Sequence, residues 1–234
     1  MVLRVACDLD GTIADMEGAL QREAETLFGR GVCVRAPDSA EAPDTDGDVD
    51  GGVKEFDTPS GRKMLTSRQM RQLWAHVAGI ENFWASLEEI EAGSVARFCA
   101  LRTQQGMEVI FLTQRPDTAG EPTQLQTQRW LEAHGFELPS VYVLQGSRGK
   151  AAAALSLDVV LDDRAENCLD VAAESKAQPI LVWRNPADAV PQGAARLGID
   201  IVFSMEEAFR HLEEMMRPAH RPTLLSRLRN AIGM

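Results

Sequence analysis

Six short apolar or β-rich runs, at residues 2–7, 108–112, 141–144, 159–161, 180–183 and 200–203, alternate with stretches of helical periodicity. Runs that are apolar throughout, instead of at every second residue, belong to strands buried on both faces, and intervening helices supply the crossovers that parallel strands require. The pattern predicts an α/β fold with a parallel sheet covered on both sides by helices. In such a sheet ligands bind beyond the carboxyl ends of the strands, so the residues that close each run are where chemistry is expected. Three helical stripes stand out: Leu20, Ala24, Leu27 and Phe28; Met70, Leu73, Trp74 and Val77; and Met205, Ala208, Phe209, Leu212 and Met216. The second is introduced by Thr66-Ser67-Arg68-Gln69, a capping-box pattern, and all three read as core faces.

The first run ends in Asp8-Leu9-Asp10-Gly11-Thr12. Carboxylates two residues apart point to one side of an extended chain, which brings two acids to one strand end and makes a place for metal and phosphate chemistry. An acid there also serves simply to cap a following helix. Phe111-Leu112-Thr113 ends the second run, Lys150 stands in Gly149-Lys150 after the third, and Leu161-Asp162-Asp163 closes the fourth. Taken singly, Thr113 reads equally as a hydroxyl closing a strand and Lys150 as a solvated lysine on a helix.

Hydroxyl, ammonium and paired carboxylates in this order resemble the four motifs of the haloacid dehalogenase-like hydrolases, over roughly residues 2–184. The resemblance implies a Rossmann-like three-layer core at 1–15 and 94–216, with a small helical cap inserted after the first strand at 16–93. It implies that Asp8 attacks a phosphoryl group and becomes an aspartyl-phosphate, and that Asp10 is the general acid and base. The family's dehalogenases lack an acid at the position of Asp10, so a phosphatase is favoured. Thr113 would be the hydrogen-bond donor and Lys150 the fixed cation around the phosphoryl oxygens. Magnesium suits the hard oxygens of Asp8, the Asp10 carbonyl and Asp163, with Asp162 close by as an outer or lysine-orienting group.

Asn82-Phe83-Trp84-Ala85-Ser86-Leu87 and Leu161-Asp162-Asp163-Arg164-Ala165-Glu166-Asn167-Cys168 resemble the 5'-nucleotidase and deoxyribonucleotidase branch. There cap aromatics stack on the base, which makes Phe83 and Trp84 substrate-side candidates; both also read as packing of the cap. The second motif departs from that branch, because Gln114-Arg115-Pro116 follows Thr113 where a small residue and Pro are expected. Gln114 and Arg115 are therefore also substrate-side candidates, with a guanidinium able to grip phosphate bidentately or to pair with one of many acids on the surface.

Residues 36–61 are rich in Asp, Glu, Gly and Pro and poor in apolar side chains, which predicts a mobile loop. Within it, 46–57 matches a calcium-binding loop at Asp46, Asp48, Asp50, Gly51 and Val53, but ends in Asp57 instead of Glu and follows no amphipathic helix. Both a calcium site and a solvated acidic loop remain open. Eight acids and one lysine between Ala36 and Asp57 supply seven units of the net charge of -11, which opposes binding to a nucleic-acid polymer. From Arg217 onward the sign reverses, with four arginines and no acid; Leu225, Leu228 and Ile232 lie at helical spacing. This 217–234 tail reads as a frayed end, as packing on the acidic body, or as a basic amphipathic helix for an anionic surface.

Cys7, Cys33, Cys99 and Cys168 have no metal-ligand spacing, and no apolar run approaches twenty residues. With the first strand beginning at Val2, a soluble cytoplasmic protein is expected, without stable membrane insertion. The stretch 145–150 lacks the first Gly and the Ser/Thr of a phosphate-binding P-loop, and the four histidines form no triad with a serine. The expectation is a magnesium-dependent phosphatase of a small phosphomonoester, a nucleotide monophosphate first. A sugar phosphate or other metabolite, a phosphotransferase, and a non-catalytic binding or regulatory protein are the alternatives. Oligomeric state is not legible.

Overall fold

In chain order the elements are β1 (Arg4–Asp8), α1 (Met16–Phe28), β2 (Val32–Cys33), β3 (Lys63–Met64), α2 (Ser67–Ala78), α3 (Ser94–Gln105), β4 (Glu108–Thr113) and α4 (Thr123–Ala133). They continue with β5 (Ser140–Val143), α5 (Arg148–Ala154), β6 (Val159–Asp162), α6 (Ala165–Glu174), β7 (Gln178–Val182), β8 (Asp200–Val202) and α7 (Met205–Met216). This computed structural model describes residues 2–34, 63–191 and 193–216. The acidic stretch 36–61, with its calcium-loop-like run at 46–57, and the basic tail 217–234 lie outside the described residues.

Six strands form one parallel sheet in the order β5-β4-β1-β6-β7-β8. The strand order reverses beside β1: the chain leaves through β4 and β5 on one side and returns through β6 on the other. That is the crevice where α/β sheets bind ligands. Register aligns Cys7 with Phe111 and with Leu161, and Asp8 with Leu112, so Asp8, Thr113 and Asp162 all emerge at one edge of the sheet.

Both faces of β1 are buried, as its unbroken apolar character requires. Val5 and Cys7 join one core cluster with Phe98, Phe111 and Phe209, while Ala6 joins another with Ile110, Leu112, Val160 and Val171. Phe209, Phe98, Phe111 and Phe136 form an edge-to-face chain with centroids 4.9, 6.0 and 4.9 Å apart. Each such contact adds about 0.5–1.5 kcal/mol to area burial. Pairing α3 and α7 across this aromatic row ties the last described helix to the middle of the chain.

Between β1 and α3 the described chain makes α1 and α2, joined by the short parallel β2–β3 pair. Thr66 caps α2 reciprocally with Gln69: the Gln69 N–H donates to Thr66 Oγ1 at 3.2 Å and the Thr66 N–H to Gln69 Oε1 at 3.0 Å. The apolar stripe of α2, Leu73 and Val77, is buried with Leu20 and Ala24 of α1 in the main core. The insertion was expected as helices around an acidic loop; two-residue strands have no period from which to be read, so β2–β3 emerges only from tertiary pairing. Among the described residues no helix is long and apolar enough to cross a membrane.

Candidate active site

After β1 the chain turns sharply, with the N–H groups of Ile13 and Ala14 both donating to the Leu9 carbonyl at 2.9 and 2.7 Å. Gly11 sits at φ +88°, a conformation that favours glycine, and a Cβ there would lie 2.3 Å from Asp163 Oδ2 and push that carboxylate aside. The turn thereby comes directly against the end of β6. Thr12, fully buried, donates its hydroxyl to Asp163 Oδ1 at 3.3 Å.

Asp8, Asp162 and Asp163 each offer a carboxylate oxygen within 4.8 Å of the others. Burial pushes the Asp8 carboxyl well above its usual value; Asp162 raises it further, Arg148 opposes, and Asp163 and Asp10 add to the rise. Burial likewise raises Asp162, against the pull of Arg148, the Arg164 N–H and the Asn167 amide. Three crowded carboxylates in a low-dielectric crevice are a donor set of hard oxygens whose repulsion a divalent cation relieves, and this set fits magnesium.

The cation that stands among these acids is Arg148. Its guanidinium pairs with Asp8 Oδ1 through Nη2 and lies 3.4 Å from Asp162 Oδ2 through Nε. Arg148 Nη1 is buried without a hydrogen-bond partner, and Nε faces only Asp162. Lys150, expected in this role, is solvent-exposed, and among the described residues no ion pair joins it to Asp8, Asp10 or Asp162.

The reason is helix phase. Ser147 caps α5, accepting from the Lys150 N–H at 3.0 Å, so Arg148 is its first residue. Successive helical residues project about 100° apart, so Arg148 and Lys150 diverge by about 200°. Gly149 between them faces α6, where an added Cβ would meet the Asp170 carbonyl oxygen at 2.2 Å and Glu174 Cβ at 2.6 Å. Asp170 fastens this helix end, accepting from Ser147 Oγ at 2.8 Å and the Gly149 N–H at 2.9 Å. Burial alone would raise the Asp170 carboxyl; these hydrogen bonds outweigh it and hold the group below its usual value. The legible signal was the Ser147 cap with an arginine directly after it. Gly149→Ala should therefore push α5 off α6, lowering stability by about 1–3 kcal/mol and activity with it, as thermal melts and turnover would register.

Asp10 is gripped by Arg115, whose Nη2 donates to Oδ1 at 2.7 Å and Nε to Oδ2 at 2.9 Å. Thr113, expected to donate to substrate, gives its hydroxyl to Asp10 Oδ2 at 3.0 Å. Gln114 is exposed and donates to the Gly146 carbonyl at 3.1 Å, linking the loops after β4 and β5. Phe83 and Trp84 are buried, 3% and 0% exposed, so neither presents a free face to a base. The Trp84 indole N–H donates to the Pro116 carbonyl at 2.9 Å, and Phe83 packs edge-on against its ring at 5.0 Å. They pack the end of the insertion against the loop after β4, the second of the two roles open to them in sequence.

Solved structures resemble this one over nearly its whole length. A HAD family hydrolase from Deinococcus radiodurans R1 superposes with a TM-score of 0.55 at 18% identity, covering 93% of this chain and 99% of its own. A hydrolase from Pseudomonas syringae gives 0.52 at 14%, covering 91% and 99%. A haloacid dehalogenase-like family protein from Streptococcus pneumoniae gives 0.51 at 12%, covering 90% and 98%. The chain has the haloacid dehalogenase-like fold. No family model and no curated protein matches the sequence. Within the haloacid dehalogenase-like fold, Asp8 ends β1 and Asp10 follows it, Thr113 ends β4, Arg148 opens α5, and Asp162 ends β6 with Asp163 directly after it. These four elements meet at the carboxyl edge of one sheet.

Proposed function

We propose that this protein is a magnesium-dependent phosphatase acting on a small phosphomonoester through an aspartyl-phosphate on Asp8. The convergence of Asp8, Asp162, Asp163 and Arg148 in the crevice beside β1 supports this reading most directly. Asp8 would attack the phosphorus in line with the ester oxygen, forming its acyl-phosphate as the ester bond breaks. Asp10 would give a proton to the departing oxygen and then take one from the water that cleaves the aspartyl-phosphate. The unpartnered Nη1 of Arg148 would receive a phosphoryl oxygen, whose charge grows as the bonds rearrange. Magnesium, held by the three carboxylates and the Asp10 carbonyl, would offset the repulsion between Asp8 and the phosphate. The Deinococcus structure, of like fold, contains bound phosphate and sodium.

For the leaving group, a nucleoside monophosphate is favoured by the sequence resemblance at 82–87 and 161–168. Burial of Phe83 and Trp84 takes away the stacking part of that case, so sugar phosphates stand beside it. A cytoplasmic setting belongs to the same reading, and the buried thiols of Cys7 and Cys168, both raised by burial, suit it.

The test is phosphate release from a panel of nucleotide, sugar and other small phosphomonoesters, with magnesium or with a chelator. Release in magnesium and its loss on chelation are expected. Magnesium should also raise the melting temperature, and Asp163→Asn should remove that rise. A folded protein that binds magnesium and releases nothing across the panel would overturn the phosphatase reading.

A further inference from the structure

We infer that Arg115 is a positioning residue for Asp10, and that Trp84 and Thr127 hold Arg115 for this task. The inference rests on the phosphatase reading and gives the proton-transfer carboxylate a fixed orientation. The Arg115 side chain is 0% exposed and grips both oxygens of Asp10 in a fork. Its remaining nitrogen, Nη1, donates to Thr127 Oγ1 at 3.0 Å, and the Thr127 hydroxyl is itself turned to the Thr123 carbonyl at 2.8 Å. The guanidinium carbon lies 4.9 Å from the Trp84 ring centroid. Trp84 is pinned in turn by the Pro116 carbonyl and by Gln126 Oε1, which accepts its backbone N–H at 3.1 Å.

Four segments thus meet on one guanidinium: the turn after β1, the turn Phe83–Ser86 that carries Trp84, the loop after β4, and α4. Burying an ion pair is expensive, and apolar side chains would fill such a space at least as stably. What apolar residues cannot do is aim a carboxylate. With Thr113 the fork leaves Asp10 no freedom to swing toward the acid cluster, while Arg148 holds Asp8. Each carboxylate of the Asp8-Leu9-Asp10 pair has its own arginine, which keeps the nucleophile and the proton carrier from competing for one cation. A proton donor misplaced by about 1 Å loses most of its rate advantage.

The experiment compares Arg115→Met with wild type on two substrates in rapid-mixing assays. An alkyl phosphomonoester needs a proton on its leaving oxygen; 2,4-dinitrophenyl phosphate releases a stable anion without one. In the variant, the phosphorylation burst should slow about 100-fold with the alkyl ester and less than about threefold with the dinitrophenyl ester. Steady turnover of both should slow, since Asp10 also activates water. Arg115→Lys keeps the charge without the fork and should fall between, which preserves the test if the Met variant does not fold. In the Asp10→Asn background, Arg115→Met should add no further loss with the alkyl ester. Equal slowing of both bursts, or unchanged turnover in a folded variant, would overturn the inference alone. No release by the wild type would overturn the phosphatase reading and this inference with it.

Discussion

Asp8→Asn is expected to abolish magnesium-dependent phosphate release, lowering kcat by about 10⁴-fold or more, as removal of a nucleophile does. The amide cannot attack phosphorus, and two neighbouring acids are held by other partners. Asp162 is 0% exposed and bound by Asn167 and the Arg164 N–H, while Asp10 is bound by Arg115. Measured turnover with the preferred ester decides the point, and a residual rate within tenfold of wild type would exclude Asp8 as the nucleophile. The same variant reports on charge crowding. Burial, with Asp162 next, raises the Asp8 carboxyl, so the folded state holds a proton more readily than the unfolded chain. Stability of the metal-free protein therefore falls as pH rises from the ordinary carboxylate range toward the raised value. Asp8→Asn should flatten that slope in melts run with chelator at several pH values, and should melt no lower than wild type at neutral pH.

Arg148→Met is expected to lower kcat by about 10³-fold, whereas Lys150→Ala should stay within about twofold of wild type. Arg148 touches the proposed nucleophile and a flanking carboxylate, and its Nη1 is a buried donor without a partner among the described residues. Breaking a buried pair from one side also leaves its acids uncompensated, at a cost of about 3–5 kcal/mol. Magnesium should restore part of that stability without restoring rate, and Arg148→Lys should recover stability better than turnover, because a lysine cannot reach both acids in a fork. A large loss in Lys150→Ala with little in Arg148→Met would reverse the assignment.

Local chemistry was enough to read the sheet and the acids of the site. The runs that became β1, β4, β5, β6, β7 and β8 were apolar over consecutive residues, and the acids at the ends of β1 and β6 were visible as breaks in that character. The capping box at Thr66 and Gln69 was equally local, since both partners lie within one helical turn. Where one residue decides a helix phase, sequence stopped short. Arg148 and Lys150 flank Gly149, and the choice between them depends on the approach of α6, whose Asp170 carbonyl leaves no room for a Cβ. Arg115 was legible as a charge near the site but not as the partner of Asp10, a contact across 105 positions. Phe83 and Trp84 read as aromatic residues of the insertion, and only the packing of that segment on the loop after β4 turned them inward. Sequence by itself determined which strands build the six-stranded sheet and where their acids fall, because hydrophobic period and strand ends are properties of neighbouring residues. Tertiary structure alone decided which cation meets which carboxylate, because those pairings follow from close approach between elements that no local pattern encodes.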